Sequence, residues 1–229
     1  MDQLAKVLRI LEKSEEFRLL LEIILAIGNY MNGSTFRGCA NGFSIDILEN
    51  ISSVKSSTKN GYTLMHYFTE YLQKNYPNLI DFPQKENLSD DMSYCSKLDL
   101  DFLTSQVNEL DKNLLFVEKE FTFFESVKND PFASIFKPFI EKSKQKVVKV
   151  KSLSQIVSSS FDNIKKYFVL DKSCSCQEFL SITSKFFVSF ETAIDENAQR
   201  YLRAQKLNNK SNDSKGDLDS MISRMKNFK

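Results

Sequence analysis

The sequence predicts an all-α protein: an elongated helical bundle built around a long antiparallel, coiled-coil-like pair of helices. Its 229 residues include only 6 glycines and 4 prolines, about 4% of the chain, where an average protein has about 12%. Hairpins, barrels and doubly wound sheets need glycine and proline at their turns, so a chain poor in both should consist mostly of long helices. A second observation is a strict heptad of apolar residues in the middle of the chain, which is typical of paired helices.

The charge balance and the polarity pattern exclude several classes of protein. Lys and Arg total 31 against 30 Asp and Glu, a net charge of +1, whereas nucleic-acid-binding chains are usually far more basic. The longest apolar stretch, Phe17 to Ile27, is interrupted by Arg18 and Glu22 and is well short of the roughly 20 residues of a membrane span. The N-terminal residues include acids and no cleavage-site pattern, so we expect no signal peptide and a cytoplasmic location.

The four cysteines and the single histidine leave little material for catalysis or metal binding. The cysteines are too few and too scattered for a disulfide framework, so we interpret all of them as free thiols: Cys39, Cys95, Cys174 and Cys176. His66 alone provides neither a catalytic triad nor a zinc site, and we expect it to be packed or partly exposed. The segment GCANG lacks the Lys-Ser/Thr of a phosphate-binding loop. We therefore expect no enzyme, no metal and no cofactor.

The chain begins with two predicted helices. In the first, apolar residues recur at steps of three and four, at Leu4, Val7, Leu8 and Leu11. Ser14, followed by two glutamates, is typical of an N-cap with acids in the first turn. The next helix is apolar on most faces, so we expect it to be central. It ends at Asn32-Gly33, a C-terminal signal.

Residues 33–62 have the least regular pattern, since four of the six glycines lie between Gly33 and Gly61. We expect a short helix over residues 44–53 within this region and a longer helix over residues 63–75. Residues 77–95 contain two prolines and are expected to form a polar connection.

The middle of the chain contains the heptad that predicts the long helix pair. Its apolar residues are spaced alternately by three and four: Leu100, Leu103, Val107, Leu110, Leu114, Val117, Phe121 and Phe124. A helix over residues 99–128 would be roughly 45 Å long, and Asp130-Pro131 would end it. A second long helix over residues 139–168 has a similar period. After a turn, a last helix is expected from Glu178 to about residue 206, so that residues 1–205 form the domain and residues 206–229 a polar linker.

One region contains motifs that resemble a known family. Gly-Asn-Tyr-Met-Asn at residues 28–32 is followed by Gly-Phe at 42–43, a hydrophobic helix and Lys55-Ser56. Thr-Leu-Met-His-Tyr follows at 63–67, and the pairs Tyr167-Phe168 and Glu178-Phe179 lie further on. In this order the motifs resemble the formin homology 2 domain, the actin-assembly module of formins, over about residues 1–200.

The resemblance implies the C-terminal part of that domain, with its knob end, coiled coil and post. The post is a pocket that receives the N-terminal lasso of a second subunit, and two subunits thereby close a ring around the barbed end of actin. The residues that the resemblance assigns to this dimer surface are Gly28, Asn29, Tyr30, Met31, Asn32, Gly42 and Phe43. Taken alone, the pattern also fits a helix end packed into its own core, with Gly28 allowing another group to approach closely.

Two lysines are candidates for contact with actin. In the family a basic residue at the Lys-Ser position contacts actin, and the resemblance assigns this role to Lys55. Lys59, the second lysine of this segment, is a further candidate, although the segment from Lys55 to Thr63 is one residue longer than usual and does not fix its alignment with the family. Taken alone, a lysine in a serine-rich turn is a solvated charge. A lysine run over residues 142–151 is either a solvated face or an auxiliary contact with actin or acidic lipid.

The C-terminal residues resemble the diaphanous autoregulatory motif of the same family. The apolar positions fall on one helical face, which is typical of a helix that docks in a groove. The matching residues are Leu218, Asp219, Met221, Ile222 and Met225. The resemblance implies autoinhibition by a separate N-terminal domain under Rho-family GTPase control, and the alternative is a frayed terminal helix.

The function implied by the resemblance is actin-filament nucleation and elongation at the barbed end by a ring-shaped homodimer in the cytoskeleton. The family's lasso, linker and knob, with their tryptophans, and its proline-rich profilin-binding region have no counterpart in this chain, which has no Trp. We therefore expect a fragment, an incomplete gene model or a truncated paralogue that does not nucleate actin alone. The alternative function is a helical scaffold for protein or membrane binding without actin assembly activity.

Overall fold

The computed structural model describes the backbone of residues 1–125 and 131–226, and side chains in the same ranges except at residues 86, 125, 131, 133 and 207–226. This backbone is mostly helical and contains no strand, only an isolated antiparallel bridge between Lys55 and Thr63. The predicted all-α class is confirmed. Within the described ranges, no helix combines the length and apolarity needed to cross a membrane.

The described residues form the α-helices expected from the sequence and one more, the fifth, which was not expected. Two short 3₁₀ helices, Pro77–Leu79 and Phe82–Asn87, lie between the fourth and the fifth. The bounds are Asp2–Lys13 (α1), Glu15–Asn32 (α2), Ile47–Asn50 (α3), Leu64–Asn75 (α4), Leu88–Cys95 (α5), Leu100–Glu125 (α6), Pro131–Tyr167 (α7) and Cys176–Lys226 (α8). The chain divides into two compact units. The first consists of residues 1–50 and 81–187, and the second of residues 51–80 and 188–229.

The apolar stripe of α1 is part of the core of the first unit. All four of its predicted residues, from Leu4 to Leu11, are buried, and α1 packs against α5 and α7. Ser14 caps α2 as predicted, since its Oγ accepts a hydrogen bond from the Phe17 amide at 3.1 Å. The sequence predicted the apolar stripe and the cap because each depends on residues within one or a few helical turns of one another.

Phenylalanine rings dominate the centre of the first unit. The Phe17 ring lies 6.0 Å from that of Phe168 and 5.9 Å from that of Phe187, and Phe82 stacks on it at 6.4 Å. Phe179 extends the cluster and contacts Phe168 at 5.5 Å. Aromatic pairs at such separations add to the free energy gained by burial. The cluster therefore fixes the first half of α2, the helix that carries the Gly-Asn-Tyr-Met-Asn motif.

Helices α6 and α7 form the expected antiparallel pair within the first unit. Lys151 Nζ lies 2.5 Å from Asp111 Oδ2, and Lys144 Nζ lies 3.1 Å from Glu118 Oε1. From the first ion pair to the second, the residue number rises on α6 and falls on α7, so the two helices run in opposite directions. On the heptad face Val107 and Phe121 are buried, whereas other positions such as Leu110 are exposed.

The second unit is built on α4 and on the part of α8 beyond residue 187. The rings of Phe68 and Phe190 meet edge to face at 5.9 Å. Asn197 Nδ2 donates to the His66 carbonyl and to Thr69 Oγ1, both at 2.9 Å. Met65, Phe68 and Phe190 are fully buried, so this unit has an apolar core of its own.

Residues 77–95 do not form the polar connection that the sequence suggested. They contain both 3₁₀ helices and α5, and their apolar residues are buried: Leu79, Phe82, Leu88, Met92 and Cys95. These residues are separated by Pro, Asn, Gln, Asp and Ser, which gave the segment a polar average and concealed its buried face.

Three helix boundaries also differ from the expected ones. The helix expected over residues 44–53 is regular only over Ile47–Asn50. Helix α7 begins at Pro131 rather than at residue 139, because a proline is tolerated at the first position of a helix. Pro138 lies inside this helix. The backbone of α8 continues to Lys226 through the segment expected to be a linker. The side chains of Leu218, Asp219, Met221, Ile222 and Met225 lie outside the described ones.

Candidate protein-interaction surfaces

The last turns of α2 leave the core and present large apolar side chains to solvent. Ile23 and Ile24 are buried, whereas Tyr30 and Met31 are 89% and 53% exposed, and Phe36 in the following loop is 94% exposed. The alternative interpretation, a helix end packed into its own core, is therefore wrong for these side chains. We call residues 28–43 the motif surface.

Asn29 closes the loop that follows α2. Its Nδ2 donates to the Ala40 carbonyl at 2.9 Å, and its Oδ1 accepts from the Ala40 amide at 2.8 Å. Within the loop, a Cβ on Gly38 would come within 2.7 Å of the Asn32 carbonyl oxygen, so only glycine fits there. Cys39 follows with a positive φ of 58°. The two hydrogen bonds between Asn29 and Ala40 and the lack of space for a side chain at Gly38 therefore determine the shape of the loop.

Gly28 and Gly42 differ from Gly38. A Cβ on either would meet no heavy atom within 4 Å. The expectation that Gly28 admits the close approach of another group is therefore not met within this chain. Among the described residues, nothing fills the space beside these two glycines.

A cleft of about 1010 Å³ adjoins the motif surface within the first unit. Leu21 and Leu25 of α2, Gly42 and Phe43 of the loop, and Tyr167 at the end of α7 are among the residues that line it. The Arg18 guanidinium lies over the Tyr167 ring at 5.0 Å and donates to the Glu12 carbonyl at 2.9 Å. The cleft is open, and its apolar and aromatic walls are interrupted by acidic side chains such as Asp46 and Glu178. Such a lining suits a peptide with an aromatic side chain and neighbouring polar or basic groups.

Residues 54–63 form a second surface, which we call the basic loop. The Ser56 amide donates to the Tyr62 carbonyl and the Leu64 amide to the Val54 carbonyl, both at 2.8 Å. These bonds close the loop at its base, and Gly61 provides the positive φ of 66° that its turn requires. Lys55 and Lys59 are exposed on the loop, and neither forms an ion pair with any described carboxylate.

Aromatic and polar contacts hold the basic loop within the second unit. Lys59 Nζ lies 4.6 Å from the centroid of the Tyr62 ring, and the Arg200 guanidinium lies 5.4 Å from it. The Tyr62 hydroxyl donates to Glu70 Oε2 at 2.7 Å. Burial and this carboxylate raise the pKa of Tyr62 above its ordinary range. The Tyr62 hydroxyl therefore stays protonated as a donor.

His66 has a structural role that the sequence did not reveal. It is buried at the third position of α4, where its ring accepts from the Thr63 amide and completes a capping box with Thr63. Its other ring nitrogen lies 2.7 Å from Glu196 Oε2 on α8. The interpretation of His66 as a packed residue is confirmed. Glu196 and Arg200 were missed, because no local motif marks residues that act across 130 positions.

The lysine run on α7 is partly neutralised. Lys144 and Lys151 pair with carboxylates of α6, while Lys142, Lys146 and Lys149 are exposed. The run is therefore mainly the outer side of the helix pair, and an auxiliary contact with actin or acidic lipid would use Lys142, Lys146 and Lys149 together with Lys144, which stays exposed despite its ion pair.

The cysteines are free thiols in contrasting environments. Cys39 is exposed, whereas Cys95 and Cys176 are buried. Burial raises the pKa of Cys95 to about 11 and that of Cys176 to about 12. Among the described residues no cluster of His, Cys, Asp or Glu has the arrangement of a metal site.

Comparison with known proteins identifies the family. The model of the Formin Homology 2 Domain matches residues 1–191. Similar proteins include Protein diaphanous homolog 2 of Homo sapiens (27% identical over 193 residues), Formin-A of Dictyostelium discoideum (28% over 198) and Formin-like protein 13 of Arabidopsis thaliana (29% over 218). The alignments cover 83%, 85% and 92% of this chain, but only 17%, 16% and 17% of the respective relatives. The chain belongs to the formin homology 2 family, an actin-assembly family.

Proposed function

We propose that this chain is an actin-binding formin module, and that the full-length protein nucleates and elongates actin filaments at the barbed end as a ring-shaped dimer. The module acts by holding actin subunits in position, without covalent chemistry. The family supports this proposal, and so do two exposed surfaces of the kind that bind other polypeptides. The protein would then work in the cytoplasm, on the cytoskeleton.

The basic loop is the proposed contact with actin. Lys55 and Lys59 are exposed and have no ion-pair partner among the described residues, on a loop that is closed by backbone hydrogen bonds. Actin has an acidic surface, so two ammonium groups without a carboxylate partner would steer the encounter and fix its register. Exposed cations that no described carboxylate neutralises, on a loop closed by hydrogen bonds, are the observation that carries this proposal.

The motif surface is the proposed dimer contact. A partner segment with aromatic side chains would enter the cleft beside Phe43, and Tyr30 would pack against it. Gly28 and Gly42, where an added Cβ would meet no described heavy atom within 4 Å, would then allow the partner's backbone to approach. The proposal gives a physical reason for two glycines that the isolated subunit does not explain.

The C-terminal residues 218–226 are the proposed autoregulatory segment. A helix with its apolar residues on one face would dock in a groove of an N-terminal inhibitory domain. Release by a Rho-family GTPase would then free the actin-binding surfaces.

Charge reversal on the basic loop tests the function. In the full-length protein, Lys55→Asp together with Lys59→Asp should reduce the barbed-end assembly rate at least tenfold in a fluorescent-actin assay. The matched control is Lys97→Asp, which reverses an exposed lysine outside the loop and should leave the rate unchanged. An unchanged rate in the double variant, with its fold intact by circular dichroism, would favour the alternative, a helical scaffold without actin assembly activity.

A further inference from the structure

We propose that Glu196 and Arg200 of α8 are positioning residues that hold the basic loop in its binding conformation. Neither residue belongs to a sequence motif, and both lie beyond the residues 1–191 that the family model matches. The inference rests on the proposed function of the basic loop. It makes α8 the support of the actin-contact loop, within the same compact unit.

The first connection runs through His66 to the end of the loop. The Thr63 amide donates to His66 Nδ1 at 3.0 Å, so this nitrogen carries no proton. The proton of the neutral ring is therefore on Nε2, which donates to Glu196 Oε2 at 2.7 Å. Glu196 thus fixes the tautomer and orientation of the ring that caps α4, where the basic loop ends.

The second connection runs through Arg200 to the turn of the loop. Its Nη2 donates to the Gly61 carbonyl at 2.5 Å. The guanidinium also lies 5.4 Å from the centroid of the Tyr62 ring, which is a favourable cation–π distance. Arg200 Nη2 lies 3.6 Å from the same Glu196 oxygen that binds His66. One carboxylate therefore orients both groups that hold the loop.

These connections matter because the loop has few other restraints. Residues 55–61 contain three serines or threonines at positions 56–58, an Asn, a Gly and the two lysines, and all but Ser56 are exposed. Ordering such a segment only upon binding would cost conformational entropy, which a pre-formed loop avoids. Loss of Arg200 or Glu196 should therefore weaken actin binding without removing any group that touches actin.

Hydrogen exchange of the loop amides is the direct test, since it needs no actin. Arg200→Ala should speed exchange of the amides of residues 56 and 62 about tenfold in the full-length protein, and Arg200→Lys should restore only part of the protection because Lys lacks the planar fork. The control Arg203→Ala removes an exposed arginine one turn away on α8 and should change nothing. Unchanged exchange in Arg200→Ala would overturn the proposal.

Graded replacement separates positioning by Glu196 from simple packing. Glu196→Ala removes the acceptor for His66 Nε2 and the carboxylate beside Arg200, so exchange of the amides of residues 56 and 62 should speed up severalfold at a fixed pH. Glu196→Gln keeps an oxygen acceptor for His66 and should restore part of the protection. Asp195→Ala, which removes the exposed carboxylate next to it on α8, should change nothing, and unchanged exchange in Glu196→Ala would overturn the role of Glu196.

Actin binding then distinguishes the two proposals. If Arg200→Ala loosens the loop and lowers actin affinity severalfold, and adds nothing to Lys55→Asp with Lys59→Asp, both proposals are supported. If the loop loosens but neither Arg200→Ala nor charge reversal affects actin, the positioning role holds and the proposed function fails. If charge reversal impairs assembly while the loop stays protected in Arg200→Ala, the proposed function holds and the positioning role fails.

Discussion

Asn29 binds both backbone polar groups of Ala40, with distances of 2.9 Å to the carbonyl oxygen and 2.8 Å to the amide nitrogen. The side-chain amide of Asn29 thus forms the same two hydrogen bonds that a backbone residue forms with its partner in an antiparallel β-sheet. The two bonds close an exposed loop that has few apolar residues to hold it, apart from Phe36, whose ring is in solvent. The shape of the motif surface therefore depends strongly on one polar residue.

Replacing Asn29 by Asp should open this loop. The carboxylate keeps an acceptor for the Ala40 amide but places a negative oxygen against the Ala40 carbonyl, so one hydrogen bond is lost and a repulsion is added. We expect faster amide exchange at residue 40 and a loss of about 1 kcal/mol in the free energy of unfolding. Asn41→Asp is the matched control in the same exposed loop. Equal effects of the two changes would contradict the prediction.

Two glycines of the motif surface should respond oppositely to alanine. Gly38→Ala places its Cβ 2.7 Å from the Asn32 carbonyl oxygen, and should destabilise the chain by roughly 1–3 kcal/mol. Gly28→Ala meets nothing within 4 Å and lies inside α2, so it should stabilise the helix by up to about 1 kcal/mol. Urea unfolding measures both changes.

The proposed dimer contact adds a second readout for Gly28. If a partner approaches this glycine, Gly28→Ala should stabilise the subunit yet weaken self-association of the full-length protein, measured by sedimentation. Unchanged self-association would remove Gly28 from the dimer surface.

The N-cap of α2 should have a measurable effect on stability. Ser14→Ala removes the acceptor for the Phe17 amide and should lower the free energy of unfolding by about 0.5–2 kcal/mol. Ser14→Asp keeps an acceptor at the same position and should retain most of the stability. Ser34→Ala, an exposed serine outside the described helices, serves as the control. A Ser14→Ala variant as stable as this control would contradict the interpretation of Ser14 as a cap.

The buried thiols should make the protein less stable at alkaline pH. The pKa of Cys176 rises from 9.0 to about 12 and that of Cys95 from 9.0 to about 11 in the folded chain. Above pH 9 the unfolded state therefore loses protons that the folded state keeps. The free energy of unfolding should fall as pH rises, by at most about 1.4 kcal/mol per pH unit for each thiol.

A substitution isolates this effect. Between pH 9 and pH 10.5, Cys176→Ala should show a shallower decline in urea-unfolding free energy than the wild type. Cys39→Ala, which removes an exposed thiol, should keep the wild-type slope. Parallel slopes in all three proteins would show that Cys176 does not contribute.

The sequence predicted best what depends on near neighbours. The stripe from Leu4 to Leu11 and the cap at Ser14 have local patterns and are found as expected. The heptad correctly predicted the helix α6, but Val107 and Phe121 are buried while Leu110 and Phe124 are exposed. The sequence also singled out Lys55 and Lys59, whose exposure the structure describes; their contact with actin remains a prediction.

What the sequence did not reveal depends on tertiary packing. Phe82 and Met92 are buried, although their neighbours make the segment polar on average. Helix α7 begins at Pro131 and includes Pro138, although the apolar pattern indicated a start at residue 139. Glu196 reaches His66 across 130 positions, and no periodicity or motif connects residues so distant in the sequence.

The position of Arg200 has a practical consequence for anyone who prepares the isolated domain. A recombinant protein trimmed at residue 191, where the family match stops, would contain every motif of the formin homology 2 domain named above and still lack the guanidinium that donates to the Gly61 carbonyl. Such a trimmed protein would be a poor reference for affinity measurements, and its C-terminal boundary is better placed several turns further along the last helix.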